Sequence, residues 1–127
     1  MIQPNEKLLP GNVVMYNHED GDRAIKLSSY VIFEIATDKI NQRSFSPIPL
    51  TPEVLTDWCG FRQFSGFYEL NTNALIVMFP LNISGVLSIM DAGLDSINIK
   101  CPEHLHTLQN LIYFLSGEEM PVNIPNN

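Results

Sequence analysis

Long hydrophobic runs are missing from this chain. The longest, Ala74–Leu81, holds eight residues and includes Pro80, well short of the roughly 20 needed to cross a bilayer, so no membrane span is expected. The N-terminal MIQPNEKLLPG has no basic start followed by an apolar stretch. A secretory signal is therefore not visible, and the expected location is the cytoplasm. Cysteine is scarce as well. Cys59 and Cys101 have no metal-type spacing, and the three histidines do not join them as a ligand set, so two buried, reduced thiols and no metal are expected. The glycines form no phosphate-cradling pattern, which removes the basis for a nucleotide or other cofactor.

Basic charge is the other shortage. Fourteen acidic against seven basic residues give a net charge of −7, which argues against a nucleic-acid partner. The imbalance is uneven: residues 1–62 carry eight acids and six bases, whereas residues 63–127 carry six acids and Lys100 alone. No internal repeat, low-complexity tract or long linker divides the chain. With 127 residues and 45% hydrophobic content, one α+β domain spanning 1–127 is expected, with sub-lobes at about 8–50 and 51–120.

The strongest local pattern is Cys101–Met120, CPEHLHTLQNLIYFLSGEEM. Pro102 and Glu103 suit a first helical turn and Gly117 a left-handed stop, which predicts a helix of about four turns. Leu105, Leu108, Leu111, Ile112 and Leu115 fall within an arc of about 120°, the stripe that lies on a core. His106, Gln109, Asn110 and Tyr113 fall on another side and form the candidate binding face. That face can equally be read as polar surface bonded to the N-terminal lobe or to water. His104 and His106, two apart, point about 200° from each other on a helix and cannot chelate one metal there; His104 is expected at the core boundary. No nucleophile is tied to His106, and Glu118 and Glu119 read as solvated charges, so no catalytic residue is assigned.

Upstream, Asn12–Tyr16 reads as a strand, Asn17–Asp22 as a turn, and Arg23–Leu27 and Tyr30–Ala36 as further strands. Asp38–Gln42 reads as a turn, and Arg43–Ile48 as one more short strand. Together these suggest a small curled lobe of the SH3-like kind. Thr51-Pro52-Glu53 starts a short helix, with Leu50 and Leu55 as a hydrophobic staple and Gly60 as its end. Trp58, Cys59 and Phe61 are expected to plug the space between the lobes. Strands are then expected at Phe67–Leu70, Ala74–Phe79, Gly85–Met90 and Leu94–Ile99, joined at Asn71–Asn73, Asn82–Ser84 and Asp91–Gly93. This antiparallel meander should pack against the long helix, and the doubly apolar strand Ala74–Phe79 should be covered on both faces.

Three pieces of the chain, in order and spacing from about residue 8 to 120, resemble a family of small uncharacterised proteins of bacteroidete-type bacteria and their phages or mobile elements. They are Leu9-Pro10-Gly11-Asn12-Val13, then Pro47-Ile48-Pro49-Leu50-Thr51-Pro52-Glu53 with Cys59-Gly60-Phe61, and finally His106-Thr107-Leu108-Gln109-Asn110-Leu111 with Ser116-Gly117-Glu118-Glu119. Departures from the family pattern are Ile112-Tyr113-Phe114 for Tyr-Phe-Ala, Ser116 for Thr and Met120 for Leu. The resemblance implies that the short and long helices belong to one architecture. It also implies a phage or mobile-element setting, with association with a virion as the alternative to the cytoplasm, and it assigns no activity and no catalytic residue.

The function these features favour is a non-enzymatic interaction module acting on a protein partner or on its own copies. One alternative is an acidic inhibitor that occupies a basic nucleic-acid site on a host defence or regulatory protein, using Glu69, Asp91 and Asp95. The remaining one is a small hydrolase or transferase using His106 with Tyr113 or Glu118.

Overall fold

The computed structural model describes residues 7–37, 39–41, 44–91, 93 and 95–125. Parts of the expected turns at Asp38–Gln42 and Asp91–Gly93, and the expected strand starts at Arg43 and Leu94, lie outside them. Among the described residues two antiparallel sheets and two α-helices form an α+β fold, as expected. In chain order these are β1 (Val13–Tyr16), β2 (Arg23–Lys26), α1 (Ser29–Ala36) and β3 (Phe45–Ser46). A π-type turn (Val54–Trp58) follows, then β4 (Arg62–Gln63), β5 (Phe67–Asn71), β6 (Leu75–Pro80), β7 (Val86–Asp91), β8 (Ser96–Lys100) and α2 (Leu105–Ser116).

The first sheet has the order β2-β1-β3. Its companion is a helix, where the β-branched run Tyr30–Ala36 predicted a strand. Ser28 accounts for the difference: its side chain accepts from the Val31 N–H at 3.2 Å, the bond of an N-cap. Val31, Ile32 and Ile35 then share a helical face on a small core of Val14, Leu27 and Phe45. That packing outweighs the modest intrinsic preference of β-branched residues for strands. The lobe is thus three strands and a helix rather than strands alone.

The π-type turn begins as expected, with Thr51 Oγ1 accepting from Val54 N–H at 3.2 Å. It then widens, and Cys59 N–H bonds to the Val54 carbonyl five residues back. Widening carries Leu55, Cys59 and Phe61 into the main core, where Phe61 meets Phe79 edge-on with ring centroids 5.6 Å apart. Both cysteines are free and buried, and burial pushes the Cys59 thiol up to about 12.

β4 to β8 pair in sequence order as a meander, each of the expected strands recovered to within two residues. Tyr68, Val77, Phe79, Leu87 and Ile89 face inward onto α2. The opposite face of β6 shows Ile76 and Met78, half-buried among their sheet neighbours. The long helix is shorter than expected, at twelve residues. Pro102 and Glu103 lie outside it because the preceding backbone is extended: Leu50 N–H bonds to the Glu103 carbonyl and Leu105 N–H to that of Ile48. His104 is the N-cap, with extended backbone at φ −128° and ψ 151°, and it is partly buried. Gly117 closes the helix in the left-handed conformation, φ 75°. Of the predicted stripe Leu105, Leu108 and Ile112 are buried, Leu111 is half-buried and Leu115 is exposed. The last turn of α2 has moved past the edge of the core.

Candidate functional site

The polar side of α2 and the N-terminal segment before β1 form one structure. In the first sheet, the bond from Asn17 N–H to the Ser44 carbonyl fixes which residues of β1 turn their backbone toward β3. Those residues are Met15 and, by alternation, Val13. β3 ends at Ser46, before Pro47, so Val13 would lack a strand partner on that side. Gln109 takes the place of the strand. Its Oε1 accepts from Val13 N–H at 2.7 Å and its Nε2 donates to the Gly11 carbonyl at 2.9 Å. A side-chain amide carries the same donor and acceptor as a peptide group, which is why a glutamine can complete a sheet edge.

Asn110 extends the arrangement by one residue. It accepts from Asn12 Nδ2 at 2.7 Å and donates to the Lys7 carbonyl at 3.0 Å. Asn12 in turn accepts from Leu9 N–H at 2.8 Å, closing the turn that leads into β1. Asn12 and Gln109 are both buried; the Val13–Gln109 bond is shielded from water, so leaving it unmade is costly, whereas the bond from Asn110 to the Lys7 carbonyl is exposed. At Gly11, φ is +91°, so the turn needs glycine; an added Cβ would stand 2.9 Å from Glu119 Oε1, the free end of an exposed side chain that can move aside.

Outside this clamp α2 borders an open cavity of about 870 Å³. Leu9, Leu111, Tyr113 and Phe114 line it, with His106 and Asn110 at its polar end. His106 is buried, at 2% exposure, and its ring stacks parallel to that of His104 with centroids 6.1 Å apart. Tyr113 is 49% and Phe114 85% exposed. The four predicted residues are therefore split. Gln109 and Asn110 have both ends of their amides bonded to the N-terminal segment, whereas His106 and Tyr113 remain as walls of the cavity. Phe114 joins this surface without belonging to the expected face; its place beside Tyr113 and outside the apolar arc is the signal that marks it.

Of the groups proposed for chemistry, His106 and Tyr113 share this cavity, but the carboxylate does not join them. Glu118 lies twelve residues beyond His106, on the order of 18 Å along a helix axis, and borders a different cavity with Leu70 and Ser116. No group of three or more His, Cys, Asp or Glu side chains is placed to hold a metal ion among the described residues. Of the acids Glu69, Asp91 and Asp95, the last two share one turn and Glu69 lies two strands away. Glu69 accepts from Asn71 Nδ2 and sits across from Arg62, while Asp91 accepts from the Asp95 N–H at the β7–β8 turn. No helix among the described residues is long and apolar enough to cross a membrane. Comparison with family models, curated proteins and solved structures gives no match.

Proposed function

We propose that this chain is a non-enzymatic protein-interaction module of a phage or mobile element, and that it docks a partner on the C-terminal half of α2. The observation that carries this reading is Phe114, a large aromatic 85% exposed on a well-anchored helix beside an apolar cavity. An ordered helix that holds such a ring in water gains nothing from it in the free chain, and clustered exposed apolar groups on rigid elements are what partner surfaces use as anchors. Tyr113 and Leu115 continue the exposed surface, and Leu111 forms part of the cavity wall. The partner that fits is a protein segment presenting apolar side chains to the cavity, with polar contacts from Lys7, His106, Thr107 and Asn110.

The test is affinity capture from the host with the wild-type chain and with Phe114→Ser and Tyr113→Ser. One reproducible partner protein should be lost from both variants while their circular dichroism and melting stay unchanged. Retention of that partner by both variants, or no reproducible partner at all, overturns the reading.

A further inference from the structure

The five-stranded sheet has two free edges of different character. At one, β4 is two residues long, Arg62 and Gln63, and the Arg62 guanidinium lies over the Phe64 ring at 5.6 Å. Short length and charge are the usual means by which an edge is kept from pairing. At the other, β8 runs for five residues, SINIK, with no proline and no charge before Lys100. Ile97 is 44% exposed and every residue of β8 except Ile99 is exposed.

The bonds that bracket β8 show where its free groups point. Asp91 N–H bonds to the Asp95 carbonyl at one end, and Cys101 N–H to the Gly85 carbonyl at the other. With the register Leu87↔Ile99 and Ile89↔Ile97, the odd-numbered residues of β8 are bonded to β7. The backbone N–H and C=O of Ser96, Asn98 and Lys100 therefore project from the open edge. No hydrogen bond from these three groups to another element is present among the described residues.

We infer that this edge is a self-association surface, where β8 of a second copy adds antiparallel about a two-fold axis through Asn98. The register follows from the residues. Pairing about Asn98 sets Ser96 against Lys100 twice and Asn98 against its counterpart, using all three outward groups of each strand. Moving toward the C-terminus brings Pro102, which has no N–H, into the ladder and then lysine against lysine. On the inner face the same register places Ile97 of each copy across from Ile99 of the other, which covers the exposed isoleucine. Ile99 already borders a shallow cavity of about 500 Å³ shared with Thr107 and Leu111. Lys100, the one basic residue of positions 63–127, stands across from Ser96 of the other copy, so this register sets no like charges against each other. Association is isologous and closes at two copies. Five residues a side with one isoleucine cluster is a small interface, below about 1,200 Å² in total, so the dimer exchanges with monomer. This surface is separate from the α2 surface, and its test uses neither Tyr113 nor Phe114.

Sedimentation equilibrium over micromolar to millimolar concentration should show the mass rising from 14.3 kDa toward twice that value. Asn98→Pro removes an outward N–H and keeps every backbone bond between β7 and β8, losing across that pair only the exposed Ser88 Oγ to Asn98 Oδ1 bond, and Ile97→Lys puts a charge into the isoleucine cluster. Each should raise the dissociation constant at least tenfold with unchanged circular dichroism, and if the proline variant does not fold the lysine variant carries the measurement. Asn98→Cys should form an inter-chain disulfide on mild oxidation. Ser96→Cys should do so only when mixed with Lys100→Cys. A wild-type mass fixed at 14.3 kDa, a dimer that withstands the folded variants, or Ser96→Cys linking to itself faster than Asn98→Cys would each overturn the inference.

Discussion

Replacing Gln109 by alanine tests whether a helix side chain truly finishes the β1 edge. The substitution removes two hydrogen bonds, at 2.7 and 2.9 Å, and leaves the Val13 N–H with no partner in a place where Val13 is 0% exposed. Two bonds at about 1 kcal/mol each, plus a penalty of about 1–3 kcal/mol for stranded buried groups partly counted in them, give a loss of roughly 2–4 kcal/mol. For a domain of this size that is a fall in melting temperature of about 7–15 °C. Urea unfolding followed by circular dichroism and tryptophan fluorescence measures it, with the slope against denaturant checking that only stability has changed. Gln109→Glu sharpens the test. The carboxylate still accepts from Val13 but turns a second acceptor toward the Gly11 carbonyl, so it should destabilise at neutral pH. Protonation restores a donor, so its deficit should shrink as the pH is lowered through the raised carboxyl pKa that this pocket imposes. A Gln109→Ala variant within about 0.5 kcal/mol of wild type would refute the surrogate-strand account.

Leu108→Ala should lose roughly 2–5 kcal/mol by the same urea measurement, because Leu108 is fully buried in the main core. Asn110→Ala should cost about 1–2 kcal/mol, since both of its long-range bonds reach the N-terminal segment; the reverse order of these two losses would mean that the apolar arc is misassigned. Gly11→Ala should destabilise by more than about 1 kcal/mol because φ is +91° there, and Glu119→Ala should leave that loss nearly unchanged in a double-mutant cycle, since the exposed carboxylate can swing aside. The folded state holds the Cys59 thiol protonated to about 12 against an ordinary value of 9.0. Its contribution is complete below pH 9 and is lost as the pH rises toward 12, on the order of 4 kcal/mol in all. The drop in stability between pH 8.5 and 10.5 should therefore be smaller in Cys59→Val than in wild type, and equal slopes would remove Cys59 from the account.

What was legible in the sequence was local. Asn71–Asn73 and Asn82–Ser84 mark turns by their own chemistry, alternation along Leu75–Phe79 marks a strand, and Gly117 marks a stop within one residue. What was not legible depended on partners far along the chain. Tyr30–Ala36 has the composition of a strand, and only the Ser28 cap with a receiving core of Val14, Leu27 and Phe45 makes it a helix. The extended path of Pro102–His104 is imposed by Ile48 and Leu50, about fifty residues earlier. At the candidate site, helical spacing grouped His106, Gln109, Asn110 and Tyr113 correctly on α2. It carried no information on which of them the N-terminal segment would occupy, because Val13 and Gln109 are separated by 96 positions.

That separation also bears on how the chain is made. A ribosome adding about 5–20 residues per second delivers Gln109 roughly 5–20 s after Val13. Throughout that interval the nascent β1 has an open flank that β3 cannot reach, while the rest of the three-stranded lobe already has its residues. The first lobe is therefore completed last, by the final helix. Until α2 arrives, the Gly11–Val13 flank is the site at which a holding chaperone would protect the chain, and at which a neighbouring nascent copy would pair wrongly.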